Sequence, residues 1–96
     1  MQELALRFTA GQFTYTQVQR VGQWAVYEQQ SQHGGHSHFE VIRIGVAPAK
    51  TFPNGQTYPE REVYPNSEQW GRNGWTFYTR IEALAFFRAK TTPSTS

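Results

Sequence analysis

Apolar and polar positions alternate along most of the first half of the chain, and a period of two marks half-buried β-strands. In "ELALRF" Leu4, Leu6 and Phe8 fall on one side, with Glu3, Ala5 and Arg7 on the other. "FTYTQVQR" (13–20), "QWAVYEQ" (23–29) and "HFEVIRIGV" (38–46) continue as strands rich in aromatic and β-branched residues. Reversals at Ala10–Gly11, Val21–Gly22 and Gly34–Gly35 separate them. A two-residue turn at Gly34–Gly35 predicts that His33 pairs with His36, Tyr27 with Ile42 and Ala25 with Ile44. The Val21–Gly22 turn likewise sets Val18 opposite Ala25. One face then gathers Val18, Ala25, Tyr27, Ile42, Ile44 and Val46 as the expected core surface. The reverse face carries Gln17, Gln19, Trp24, Val26, Glu28, Val41 and Arg43, a mixture suited to a sheet wet on one side.

The alternation stops at Ala47. Pro48, Pro53, Pro59, Pro65 and the pair Asn54–Gly55 predict a long surface connection with at most a short edge strand. "PNSEQWG" then reads as one helical turn, capped by Asn66 and ended by Gly71. "GWTFYT" is a short strand. Thr79 and Glu82 form a Thr-x-x-Glu capping box, which predicts a helix from about Arg80 to Lys90. Ile81, Leu84, Ala85, Phe86 and Phe87 make that helix apolar enough to require a sheet beneath it, expected on the Val18/Ile42/Ile44 face. The predicted fold is α+β: an antiparallel β-meander of three to five strands with one C-terminal helix packed on one face. Residues 1–90 form a single domain, and the polar stretch 91–96 is expected to be a disordered tail.

A chain of 96 residues lies below the size at which domains divide. Its aliphatic supply is thin, but an aromatic content of 16% provides the bulk for a core. The net charge of +2 is small, and Arg7, Arg20, Arg43, Arg61, Arg72, Arg80 and Arg88 are scattered singly, without the concentrated stripe of a nucleic-acid binder. The absence of cysteine excludes disulfides, thiolate metal sites and cysteine nucleophiles, and fits a cytoplasmic protein. No apolar run reaches the ~18 residues of a membrane span. "MQELALRFTAG" lacks the basic start and apolar stretch of a signal peptide.

Trp70 and Trp75 bracket "GRNG" just before the helix. Large aromatics at such a place close a core, and both indoles are candidates for that role. If Trp75 is buried and Trp70 left at the rim, Trp70 joins Arg72, Tyr64, Arg61 and Tyr58 as a candidate binding surface, since Arg among aromatics is the composition of interface hot spots. "HGGHSH" offers a second candidate. In the predicted register His33, His36 and His38 project from one face of a hairpin tip, where imidazoles bind Zn²⁺, Ni²⁺ or Cu²⁺. An isolated tip provides little second shell, so a polar loop is the competing account. Enzyme signatures are poor. "GRNGW" lacks the Lys-Ser/Thr of a phosphate loop, and there is no Gly-x-Ser-x-Gly. Glu60 and Glu62 share a face if extended, but pairing with Arg61 or simple solvation accounts for them.

"FEVIRI" together with "EREVYPNSEQWGRNGWTFYTRIEALAFF" resembles a group of small phage and mobile-element proteins. These join a short β-meander to a "YP…WG..GWT" loop and a C-terminal helix. The resemblance covers Phe13 to Phe87 and implies an accessory gene of that context, with no catalytic residues. "WGR" at 70–72 and the later "EALAFF" also resemble the WGR domain of poly(ADP-ribose) polymerases, which helps bind DNA. The likeness departs after Arg72, where Asn73–Gly74–Trp75 replace the aliphatic residue and glycine of that domain. The expected function is therefore binding without catalysis, through a protein partner at Tyr58–Trp70. Nucleotide or nucleic-acid binding by Arg72, Trp70, Tyr64 and Arg61, and metal binding at the histidines, are the alternatives.

Overall fold

The computed structural model describes residues 2–92. Its centre is a five-stranded antiparallel sheet of β1 (Arg7–Ala10), β2 (Phe13–Val21), β3 (Trp24–Ser31), β4 (His38–Arg43) and β9 (Gly74–Phe77), in the order β1-β2-β3-β4-β9. The connection after β4 is more regular than its prolines suggest. β5 (Gly45–Ala47) pairs with β8 (Arg61–Val63), and β6 (Lys50–Thr51) pairs with β7 (Thr57–Tyr58). A 3-10 turn at Ser67–Gln69 follows, where the Asn66 N–H donates to Gln69 Oε1 at 3.1 Å. Helix α1 (Arg80–Thr91) closes the described chain. Among the described residues no helix is long and apolar enough to cross a membrane.

The α+β architecture with one C-terminal helix on one face is as expected, but the face is not. Ala83 and Phe87 of α1 pack on Val26, Phe39 and Val41, the face expected to be wet. Val18, Trp24 and Phe77 complete this layer, and Phe86 meets Trp75 at 4.8 Å and Phe77 at 5.2 Å. Ala25, Tyr27, Ile42 and Ile44 lie buried on the other face, beneath Leu4, Phe8, Tyr15, Tyr64 and Trp70. Both faces are therefore covered, one by a helix and the other by irregular chain. That second cover is unreadable from periodicity, because residues 64–70 carry no alternation. The helix itself starts at Thr79, whose Oγ1 accepts the Glu82 N–H at 3.2 Å. It continues through Thr91, one residue into the expected tail, and residues 93–96 of that tail lie outside the described part.

Two registers differ from expectation. β3 and β4 pair Ala25 with Ile42, Tyr27 with Glu40 and Gln29 with His38, a shift of two residues. A two-residue shift keeps every side chain on its face, so the hydrophobic pattern does not resist it. Zipping Gln30–Ser37 into a tight hairpin would bury nothing. The tip instead opens into a loop in which Gly34 N–H donates to the Ser31 carbonyl at 3.1 Å. In the β2–β3 pair, Arg20 faces Ala25 and Gln17 faces Tyr27, with an irregularity at Val18. That extra residue turns Val18 to the helix side and places Tyr15 and Gln17 beside Tyr27. Val46, expected in the core, is 43% exposed because β5 leaves the main sheet for β8.

The amino-terminal segment also departs from a single strand. Leu4 packs inward while Leu6 is 69% exposed, and only Arg7–Ala10 joins the main sheet. Gln2 instead forms a parallel bridge with Arg61. Glu62 fixes this strap from two sides: its Oε1 accepts the Leu4 N–H at 3.0 Å, and its carboxylate takes both Arg20 amino groups at 2.7 and 2.6 Å. The Arg20 guanidinium holds the Glu62 carboxyl well below its ordinary range, down to about 2. Glu62 therefore pairs neither with Arg61 nor with Glu60. Its partner lies across the fold, in β2.

Candidate functional site: an aromatic cleft floored by Glu40

The "WGRNGW" loop owes its shape to its two glycines. Gly71 stands at φ 91°, in the left-handed region that favours glycine, and reverses the chain. Its N–H donates to the Gly74 carbonyl at 2.8 Å. A Cβ on Gly74 would lie 2.4 Å from the nearest atom of the Trp70 ring, so only a bare Cα lets the indole settle there. Trp70 thus lies on the Ile42 face of the sheet, while Trp75 points to the helix face and stacks on Trp24 at 5.8 Å. Both indoles are half-buried, on opposite sides. The Trp70 Nε1–H donates to Thr76 Oγ1 at 3.0 Å.

Between Trp70, the 64–67 segment and the sheet lies a cleft of about 460 Å³, lined chiefly by Phe8, Tyr15, Glu40, Tyr64, Trp70 and Thr76. Its walls are aromatic: Phe8 stacks on Tyr15 at 4.8 Å, and Tyr64 meets Phe8 at 5.5 Å and Tyr15 at 5.7 Å. Three tyrosine hydroxyls on this face are tied down. Tyr64 donates to Glu40 Oε1 at 2.5 Å, Tyr27 to the Ala5 carbonyl at 2.7 Å, and Tyr15 accepts from Gln29 Nε2 at 2.9 Å. Glu40 is only 7% exposed and sits beside Ile42 and Thr76. Burial pushes its carboxyl above the usual range, partly offset by the Tyr64 and Thr76 hydroxyls and by His38 nearby. Burial, then the Glu40 charge, drives the Tyr64 phenol upward. Among the described residues the one salt bridge is Arg20–Glu62, so Glu40 has no cationic partner there.

No protein-family model matches this chain, and no curated protein or solved structure matches it either.

The predicted binding residues divide between two places. Tyr64 and Trp70 line the aromatic cleft. Tyr58 and Arg61 line a second cleft of about 440 Å³, with Gln2, Lys50, Phe52 and Pro59. There Phe52 meets Tyr58 edge-on at 5.2 Å, and Lys50 Nζ lies 4.9 Å from the Phe52 ring. Arg72 is exposed on the turn after Trp70 and lines neither cleft. The histidines are not brought together. His33 and His36 are exposed in the wide β3–β4 loop, and the His38 ring packs edge-on against Tyr78 at 5.2 Å. Among the described residues no three His, Cys, Asp or Glu side chains converge as a metal site would require. Phe8, Tyr15 and Glu40 are the site residues that the sequence reading passed over. Glu40 did leave a signal, as the lone acid in "FEVIRI" on the same side as Ile42 and Ile44.

Proposed function

We propose that the chain is a non-enzymatic binding module, a cytoplasmic accessory protein of phage or mobile-element type, which takes hold of a protein partner at the aromatic cleft. The observation that carries this reading is a concave surface of aromatic rings whose polar groups are already bonded to one another. Such a surface buries much apolar area on contact and loses little side-chain freedom in doing so. Those internal bonds favour binding over catalysis, since they hold the hydroxyl and indole donors in place instead of presenting them to a reacting group. The resemblance of the "YP…WG..GWT" loop to small phage proteins supplies the context. The test is amide hydrogen exchange on the chain with a captured partner. Slowed exchange at 64–76 is expected, with loss of capture in Trp70→Ala measured at a temperature where circular dichroism shows the variant still folded. Protection confined to α1 would refute the proposal.

A second reading draws on the other cleft. Lys50 and Arg61 beside Phe52 and Tyr58 combine positive charge with stacking surface, which suits a nucleotide or single-stranded nucleic acid. Oligonucleotide binding there should weaken steeply with added salt and be lost in Arg61→Ala. Binding insensitive to salt would exclude it.

A further inference from the structure

Glu40 is the one feature of the aromatic cleft that partner binding by apolar contact leaves without a role. An ionised carboxyl held away from water without a counter-charge costs several kcal/mol, and a glutamine of the same shape would avoid that cost. Tyr64 supplies a hydrogen bond to Glu40 but no positive charge. The rings around it add to the negative character of the space, because the face of an aromatic ring attracts cations. Phe8, Tyr15, Tyr64 and Trp70 line the same cleft as the carboxyl. In a protein of net charge +2 this is a local inversion of sign.

Three kinds of occupant can be compared on this chemistry. An anion would be repelled by Glu40. A neutral apolar group would fill the rings but strip the carboxyl of its remaining water. A cation on an alkyl stem satisfies both, its stem lying on the rings and its head meeting the carboxylate. A bare metal ion would find the Glu40 carboxylate with His38 nearby, but among the described residues no third ligand. The cleft volume of about 460 Å³ accommodates one such side chain.

We infer that the cleft receives the cationic end of a lysine or arginine side chain from the protein partner, with Glu40 as its counter-charge and the four rings as its enclosure. This rests on the partner reading above and names the chemistry of its contact.

Short capped peptides test it on the whole ¹⁵N-labelled chain, followed by NMR shifts at Trp70 Nε1–H and the Thr76 and Glu40 amides. The probes are acetyl-Gly-Lys-Gly-amide, its arginine and glutamate counterparts, and an isosteric norleucine version. Saturable shifts are expected for the lysine or arginine peptide, with affinity roughly tenfold or more weaker for norleucine and for Glu40→Gln. Norleucine binding as tightly as lysine would overturn the charge inference while leaving the cleft a partner site. An affinity for n-butylammonium equal to that of the lysine peptide would assign the cleft to a free amine and overturn the partner's side chain as the source. No shift with any peptide up to millimolar concentration would overturn the inference. The hydrogen-exchange experiment would then still decide the partner reading by itself. If Glu40→Gln fails to fold, the lysine-to-norleucine comparison on the unaltered chain settles the matter.

Discussion

Gly74 lies directly beneath the six-membered ring of Trp70, so a single methyl group decides where that indole rests. In Gly74→Ala the ring must lift from the sheet, breaking its bond to Thr76 and uncovering Ile42. The variant should lose about 1–3 kcal/mol in denaturant unfolding, and the Trp70 Nε1–H resonance should move to its solvent-exposed position. An unchanged resonance would show that the backbone yields instead. The glycine pair was legible in "WGRNGW" as a sign of a tight path, and Trp70 and Tyr64, both named as candidates from the sequence, line the cleft. Phe8 and Tyr15 were not, because they reach the cleft only through the irregularity at Val18, which a period-two pattern does not reveal. Glu40 was visible as an odd residue, but its environment is made by residues far along the chain.

At the scale of elements, helix α1 holds the opposite face chiefly through Ala83 and Phe87, one turn apart, with Leu84 and Phe86 half-buried beside them. Ile81 is 82% exposed, so the helix is less apolar in place than its sequence implies. Truncating Phe87 to alanine removes a fully buried ring between Val26 and Val41 and should cost about 3–5 kcal/mol, read as a lowered unfolding midpoint. Ile81→Ala should change it by less than ~0.5 kcal/mol. Strands β2, β3, β4 and β9, the Asn66 turn and the Thr79 cap all fall near the expected places, although the strand expected over 38–46 divides after Arg43. What failed was the choice of face. Trp24, Val26 and Val41 alternate as regularly as Ala25, Tyr27 and Ile42, so a sheet buried on both sides gives two equal candidates for the helix. The four short strands between residues 45 and 63 escaped for another reason. Two- and three-residue strands are too short for any period to show, and their prolines lie just outside the paired residues.

Across the whole molecule, the flat outline of 47 × 46 × 22 Å reflects one sheet with a thin cover on either side. The cover over the cleft face is fastened by Arg20 and Glu62, neither of which lines the cleft. Because the Glu62 carboxyl titrates at about 2 in the folded chain against an ordinary 4.5, the stability it adds is fully present above 4.5 and fades as pH falls toward 2. Glu62→Gln should therefore lower stability by about 1–2 kcal/mol at neutral pH and by almost nothing near pH 2. Urea unfolding at the two pH values measures the difference, and an equal loss at both would mean that the bond to Leu4 matters more than the ion pair.

The placement of the three indoles has a practical consequence. Trp24 and Trp75 stack 5.8 Å apart under the helix, while Trp70 stands alone on the far side of the sheet. The first pair couples electronically and should give a circular-dichroism couplet that vanishes when α1 detaches. The emission of Trp70 reports on the cleft. The chain thus carries two separate optical gauges, one for each side, and a Trp70→Phe variant is enough to tell their signals apart.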